Sequence, residues 1–510
     1  MLSKLKSFGL VGISGYPVDV EIDLSNGLPS YDVVGLPDAS VKEGKDRIRS
    51  AIKNSGFEYP IYRIVVNLAP ADTKKEGPFY DLPIALGLLT ATAQLPVHST
   101  DGYVILGELS LNGQVRKLRG ILPMLISARE SGFKKVIIPS ENAQEASFID
   151  GMETYAVKSL REAFEFLSGQ RVISPVAISK YEDIKKQMSC ANDFCYIKGQ
   201  KTAKRALEIA AAGGHNMIMI GPPGSGKTML AKAFPSILPD MTFEEALEVT
   251  KIHSVAGTLD SQQGIVLTRP FRSPHHTTTV VTMVGGGRTS RPGEVSLAHN
   301  GVLFLDEMPE YPRNLIETLR QPLEDKVITV SRIAQTVEYP ADFMLIGSMN
   351  PCPCGYYGSK IHECKCTMSQ IHNYLNKMSG PLMDRIDLQI EVDAIDIKDL
   401  KSNETEETSA IIKERVTKAR KIQTERFAGL SLHNNAGMNA ALVKKYCNLS
   451  PECEKVLENA FEKLKLTARA HDRILKVART IADLEGNKNI TLENLIEAIN
   501  YRSLDRKYWL

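Results

Sequence analysis

Eight residues, Gly221-Pro222-Pro223-Gly224-Ser225-Gly226-Lys227-Thr228, constrain this chain more than any others. They follow the apolar run Met217 to Ile220 and precede the helix-compatible stretch MLAKAFPSIL. That is the G-x-x-x-x-G-K-[ST] pattern in the setting its chemistry requires, a strand before and a helix after. Glycines at 221, 224 and 226 let backbone N–H groups wrap phosphate oxygens. Lys227 reaches the β- and γ-phosphates, and Thr228 offers a hydroxyl to Mg²⁺. A glycine-rich turn with no ligand is the competing reading, and the intact context opposes it. The implied fold class is α/β with a parallel sheet, and the implied cofactors are ATP and Mg²⁺.

Some eighty residues on, GVLFLDE reads as a buried parallel strand that ends in two acids, Asp306 and Glu307. With a phosphate loop in the same chain, Asp306 is assigned to the metal and Glu307 to activation of the attacking water. A third strand, Phe343 to Ser348, leads to Asn350, whose amide can position that water. In GPLMDRIDL, Arg385 lies between two acids. It either neutralises γ-phosphate charge on a neighbouring molecule or forms a surface ion pair with Asp384 or Asp387.

At 510 residues the chain exceeds one compact core, so three domains are expected. Residues 1–170 alternate β-like runs (Val18 to Ile22, Arg63 to Leu68, Tyr103 to Gly107, Lys135 to Ile138) with helical stretches such as Ala39 to Ser55. Residues 171–190 read as a linker, 191–403 as the nucleotide-binding module, and 404–510 as helical, with a start at Pro451 and a stop at Gly486. No apolar run approaches the roughly 18 to 20 residues that span a bilayer, and acids follow the N-terminal apolar segment. A cytoplasmic protein without a membrane segment is therefore expected.

In that compartment thiols stay reduced, which makes clustered cysteines metal ligands rather than disulfides. Cys352 and Cys354 form one C-x-C pair, and Cys364 and Cys366 another, inside the stretch 350–367. Two facing knuckles can give four thiolates to a tetrahedral Zn²⁺, with His362 or His372 as substitutes for one cysteine. Four unbound thiols are the alternative. Cys190, Cys195, Cys447 and Cys453 show no pairing logic. Between Asp260 and Glu294 there is no acid, yet Arg269, Arg272, Arg288 and Arg291 fall there with His275, His276 and a run of threonines. This 269–291 loop either contacts the phosphate backbone of single-stranded or branched DNA, or reaches ATP or acids of an adjacent subunit.

Taken in order, GPPGSGKT, GVLFLDE, the strand ending in Asn350 and LMDRID resemble an AAA+ ATPase. More narrowly, RPGEVSLAHNGVLFLDEMPEY, FRSPHHTTTVVTMVGGG and LRQPLED resemble the magnesium-chelatase-like branch, in the YifB/ComM group. The resemblance covers nearly the whole chain. It implies that Asn350 is the first sensor, Arg385 the arginine finger and Arg469 the second sensor, with Arg473 a nearby competitor, and that the protein is a homo-hexameric ring with a helical lid at its C-terminus. Residues 1–170 are similar to the proteolytic domain of Lon, an S5-like fold. Phe79, Tyr80 and Asp81 occupy the region of the nucleophilic serine, and Leu122 the position of the lysine, so this domain is expected to be inert, although Ser110 or Lys117 can be argued for. The implied function is an ATP-hydrolysing DNA motor, a helicase promoting branch migration in recombination or natural transformation. The alternative is a chelatase-type motor that remodels a protein partner for metal insertion.

Overall fold

The computed structural model describes residues 1–185, 192–260, 262–287, 291–331, 336–359, 362–394, 406–430, 432–464, 467–504 and 508. The chain divides into two compact units, Met1–Gln187 with Phe243–Leu267, and Met188–Thr242 with Thr268–Leu510.

The first unit is built on a seven-stranded mixed sheet. Its strands are β1 (Leu2–Val11), β2 (Ser14–Ser25), β3 (Ser30–Val34), β4 (Arg63–Ala69), β5 (Tyr103–Ile105), β6 (Lys135–Pro139) and β7 (Glu153–Val157), in the order β3-β4-β2-β1-β5-β6-β7. Alternation drives the pairing. Val18, Val20, Ile22 and Leu24 turn inward on β2, while Asp19 and Glu21 face outward and meet Lys6 and Lys4 of antiparallel β1 at 2.5 and 3.1 Å. Interleaved lysines and serines disguise β1 as a strand in the sequence.

The helix Asp81–Ala91 is buried along its whole length. At its start, buried Asp81 is clasped by Arg47 through Nε at 2.8 Å and Nη2 at 3.1 Å. Phe79 is half-buried, and Leu122 is buried with its N–H donating to Glu145 Oε1 at 3.3 Å. The helix Phe243–Ala256, inside the span expected to be nucleotide-binding module, belongs to this unit instead. Its physical reason is local: Leu247 packs on the cluster that holds Leu122, Met124 and Leu125, the Ser254 hydroxyl donates to Glu145, and the Gly120 N–H donates to the Ser254 carbonyl at 3.0 Å.

The second unit carries a five-stranded, all-parallel sheet of β8 (Met217–Ile220), β9 (Phe271–Arg272), β10 (Val302–Leu305), β11 (Met344–Met349) and β12 (Leu388–Glu391), in the order β9-β10-β11-β8-β12. Buried on both faces, β8 and β10 are continuous apolar runs. The helices Ser409–Arg426, Pro451–Leu464, Ala468–Leu484 and Leu492–Asn500 form the C-terminal helical part, and their apolar faces share one core with the sheet and the helix Lys201–Gly213. No described helix is long and apolar enough to cross a membrane.

Candidate functional site

Sheet register assembles the site. Ile220 of β8 pairs with Met349 of β11, and Leu305 of β10 with Gly347, so the residues leaving these three strands emerge side by side. Those are the phosphate loop, Asp306-Glu307 and Asn350. They line a cavity of about 420 Å³ bounded by 223–229, Asp306, Glu307 and 348–350. This is the crevice at the carboxyl ends of parallel strands, beside the strand whose neighbours, β11 and β12, both follow it late in the chain.

The loop itself is glycine-dependent where it passes the sheet. A Cβ on Gly221 would lie 2.2 Å from the Val392 carbonyl oxygen, and Gly226 adopts φ +88° just before the helix Lys227–Ala233. Lys227 is buried, and its ammonium donates to the carbonyls of Gly221 at 2.8 Å and Pro222 at 2.9 Å, and to Asn350 Oδ1 at 3.4 Å. Burial pulls its pKa down to about 8 against the opposing pull of Asp306 and Glu307. Thr228 donates to Asp306 Oδ2 at 2.9 Å, so the hydroxyl and carboxylate suited to one hard cation are already adjacent.

Ser348 was missed as a site residue. Its hydroxyl donates to Asp306 Oδ1 and accepts from the Glu307 N–H at 3.3 Å, and the side chain is fully buried. Glu307 is held at φ +52°, a left-handed conformation that is costly outside glycine. The available signal was a lone hydroxyl in the otherwise apolar run MLIGSM, which needs a buried partner.

Neither expected arginine lines this cavity. Arg385 pairs with Glu324 and donates to the Pro381 carbonyl at 2.7 Å. Arg469 is exposed, 3.8 Å from Asp384. Arg473, half-buried, pairs with the buried Asp387.

Two arginines of the 269–291 loop have partners within the chain. Arg269 is spent on the carbonyls of Pro239 at 2.6 Å and Asn300 at 2.8 Å, and Arg272 is held in a fork by Glu294 at 2.7 and 2.8 Å. Glu294 is the first acid after the acid-free stretch, and it neutralises one of the four arginines. Arg291 is exposed, His275 and His276 stack at 4.0 Å, and Arg288 lies outside the described residues.

The two C-x-C pairs do face one another. The Sγ atoms of Cys352, Cys354, Cys364 and Cys366 all lie within 4.8 Å of each other, with separations of 3.4, 3.7 and 3.6 Å among the first three. Metal–sulfur bonds of ~2.3 Å in a tetrahedron place sulfurs roughly 3.8 Å apart. The Tyr357 N–H donates to Cys352 Sγ at 3.3 Å, and the Tyr356 N–H helps bring the pKa of the Cys354 thiol down to about 6, while against the Cys366 N–H the neighbouring sulfurs push Cys364 up to about 12. The donor set therefore fits Zn²⁺. His362 stacks on Tyr356 and His372 bonds Asn376, and neither belongs to the four-sulfur group. Cys190 lies outside the described residues, and Cys195, Cys447 and Cys453 are unclustered free thiols.

Numbered by chain order, the five strands run 2-3-4-1-5 across the sheet, with a glycine-rich loop after the first, paired acids after the third, an asparagine after the fourth and a helical C-terminal part. That arrangement defines a P-loop nucleotide-binding protein of AAA+ type. The chain belongs to the YifB/ComM family of magnesium-chelatase-like AAA+ proteins. Three family models match it: subunit ChlI of Mg-chelatase over residues 20–142, magnesium chelatase subunit ChlI over 193–400, and the ChlI C-terminal region over 406–502. It is 44% identical to competence protein ComM of Haemophilus influenzae, covering 97% of this chain and 96% of that protein. It is 43% identical to YifB of Escherichia coli, covering 99% and 98%. Over 146 residues it is 34% identical to Lon protease 2 of Bacillus subtilis, covering 27% of this chain and 26% of that one.

Proposed function

We propose that this protein is an ATP-hydrolysing hexameric motor acting on DNA, a helicase that promotes branch migration during recombination or natural transformation. The observation that carries the hydrolytic half is the convergence of Lys227, Thr228, Asp306, Glu307 and Asn350 on one cavity. In this reading the loop N–H groups and Lys227 bind and orient the β- and γ-phosphates. Thr228 and Asp306 hold the cation, which when bound neutralises phosphate charge. Glu307 takes a proton from the attacking water at its carboxylate, and Asn350 orients that water. Arg385 of an adjacent subunit approaches the γ-phosphate, which makes a ring the functional unit. The DNA half is supported by near full-length similarity to a protein named for competence.

Zn²⁺ at the four cysteines is part of the same proposal. Gly355, between the two knuckles at φ +85°, has Pro223 of the phosphate loop at 2.5 Å from where a Cβ would stand, and the Tyr374 hydroxyl is hydrogen-bonded to the Asn350 backbone. The metal loop thus packs against the phosphate loop, and the helix Met368–Leu375 that follows it holds the residue after β11.

The test is ATPase rate with and without single-stranded, duplex and four-way-junction DNA, for wild type and Glu307→Gln. Stimulation by DNA, with junction unwinding abolished in the variant, supports the reading; a rate indifferent to all three DNAs sinks it. The second reading, a chelatase-type motor that remodels a protein partner, is favoured by the chelatase family models that match both units. It predicts stimulation by a protein and none by DNA.

A further inference from the structure

The four residues Asp384-Arg385-Ile386-Asp387 are held, one by one, by arginines of the C-terminal helical part. Arg469 lies 3.8 Å from the Asp384 carboxylate, Arg473 donates to the Arg385 carbonyl at 3.2 Å and to the Asp387 carboxylate, and Arg502 donates to the Ile386 carbonyl at 2.5 Å. Asp387 and Arg502 are buried, so these bonds act at low dielectric, where an orphaned partner is costly. The other oxygen of Asp387 accepts from the Asn216 N–H at 2.9 Å and lies 3.5 Å from His215 Nδ1, and His215 Nε2 meets Thr480 Oγ1, on the same helix as Arg473, at 2.8 Å. Burial would raise the Asp387 pKa, but Arg473, His215 and Asn216 together hold it well below the carboxylate range. The Asn216 amide also donates to the Arg385 carbonyl at 3.2 Å and accepts from Leu345 of β11 at 2.8 Å. Arg473 directly, and Thr480 through His215 and Asp387, thus tie the helix Ala468–Leu484 to the backbone at Arg385.

We propose that Arg473 is a positioning residue: its pair with Asp387 locks the helical part to the Arg385 loop, so that a subunit's own lid sets how Arg385 is presented to the next subunit's nucleotide. This rests on the ring reading above, in which Arg385 acts on a neighbour. A residue that reaches its own subunit's nucleotide would affect that subunit's site; a positioning residue of this kind affects the neighbour's.

Mixed rings separate these. Subunits carrying Lys227→Met, whose own site does not turn over, are mixed three to one with wild type, and the ATPase rate per wild-type subunit is read. Adding Arg385→Ala to the Lys227→Met subunits removes the finger from about three of every four wild-type neighbours, a drop of about fourfold for random mixing, since loss of a trans arginine lowers the rate by roughly 10³ to 10⁵. The expected result is that adding Arg473→Gln instead gives a drop approaching that fourfold, with Arg473→Lys intermediate and incorporation into rings retained; loss of the partner of buried Asp387 lowers the melting temperature, so rates are read well below it. A wild-type rate unchanged by Arg473→Gln, while Arg385→Ala still lowers it, overturns the inference and leaves the ring reading standing. No effect of Arg385→Ala overturns both. Should Arg473→Gln subunits fail to assemble, Asp387→Asn, close to isosteric, is used in the same mixture with the same two outcomes.

Discussion

Lys227 is the residue whose protonation the fold has made vulnerable. Burial lowers its pKa to about 8, whereas the unfolded chain keeps a lysine near 10.4. The folded site therefore binds this proton less tightly than the unfolded chain does, so the group opposes folding below about pH 8 and stops opposing it as pH rises toward the unfolded value. For binding the sign is opposite, because phosphates need the ammonium. Affinity for a non-hydrolysable ATP analogue should weaken by up to about tenfold between pH 7 and 9 in titration calorimetry, with a flat profile for Lys227→Met. Ser348→Ala should leave nucleotide affinity nearly unchanged but raise the Mg²⁺ concentration for half-maximal ATPase activity by roughly tenfold, because the half-buried Asp306 carboxylate loses a hydroxyl donor. If the magnesium requirement stays put, Ser348 only packs. The phosphate loop and both acids were legible in sequence because their spacing is dictated by phosphate chemistry. Ser348 was not, since its role follows from the pairing of β11 with β10, a long-range fact.

At the scale of elements, the cysteine loop and the arginine-bearing loop look alike as sequence, each a dense run of one residue type in a glycine-rich stretch, but they resolve differently. Two C-x-C pairs can converge through local turns alone. Whether an arginine is free depends on what the rest of the chain brings to it: Glu294 to Arg272, and the carbonyls of Pro239 and Asn300 to Arg269. The element-level prediction concerns the metal loop. Metal analysis of protein purified without added zinc should find about one Zn²⁺ per chain, lost in Cys354→Ser/Cys364→Ser. Because Gly355 touches Pro223, chelation should lower the melting temperature and any DNA coupling at concentrations that leave nucleotide binding within about threefold. Gly355→Ala is the complementary probe: its metal content should be intact, but a methyl forced against Pro223 at positive φ should weaken nucleotide binding. Zinc-free protein of unchanged stability would remove the metal from the account.

The whole molecule is less modular than its sequence implied. A single linker at 171–190 predicts one covalent crossing between the N-terminal and nucleotide-binding parts, whereas the chain crosses three times, near residues 187, 242 and 267. Nothing in the composition of Phe243–Ala256 announces this, since a half-apolar helix fits either unit equally well, and only its partners decide. Those partners carry weight. Glu145 is buried with its pKa raised by that burial, against the hydrogen bonds of Ser254 and Asn142, so removing Ser254 leaves a desolvated carboxyl short of a donor. Leu247 covers the apolar cluster around Leu122. A fragment of residues 1–187 should therefore melt lower than the same fragment supplied with the peptide 243–267, by on the order of 10 °C, given a few kcal/mol of lost burial and hydrogen bonding in a domain of this size. It should also bind a hydrophobic dye until the peptide is added. A fragment that melts at the same temperature with or without the peptide would mean that the helix is only a passenger on this unit. If instead the peptide is required, the N-terminal unit is completed by a segment that leaves the chain between the helix Lys227–Ala233 and β9.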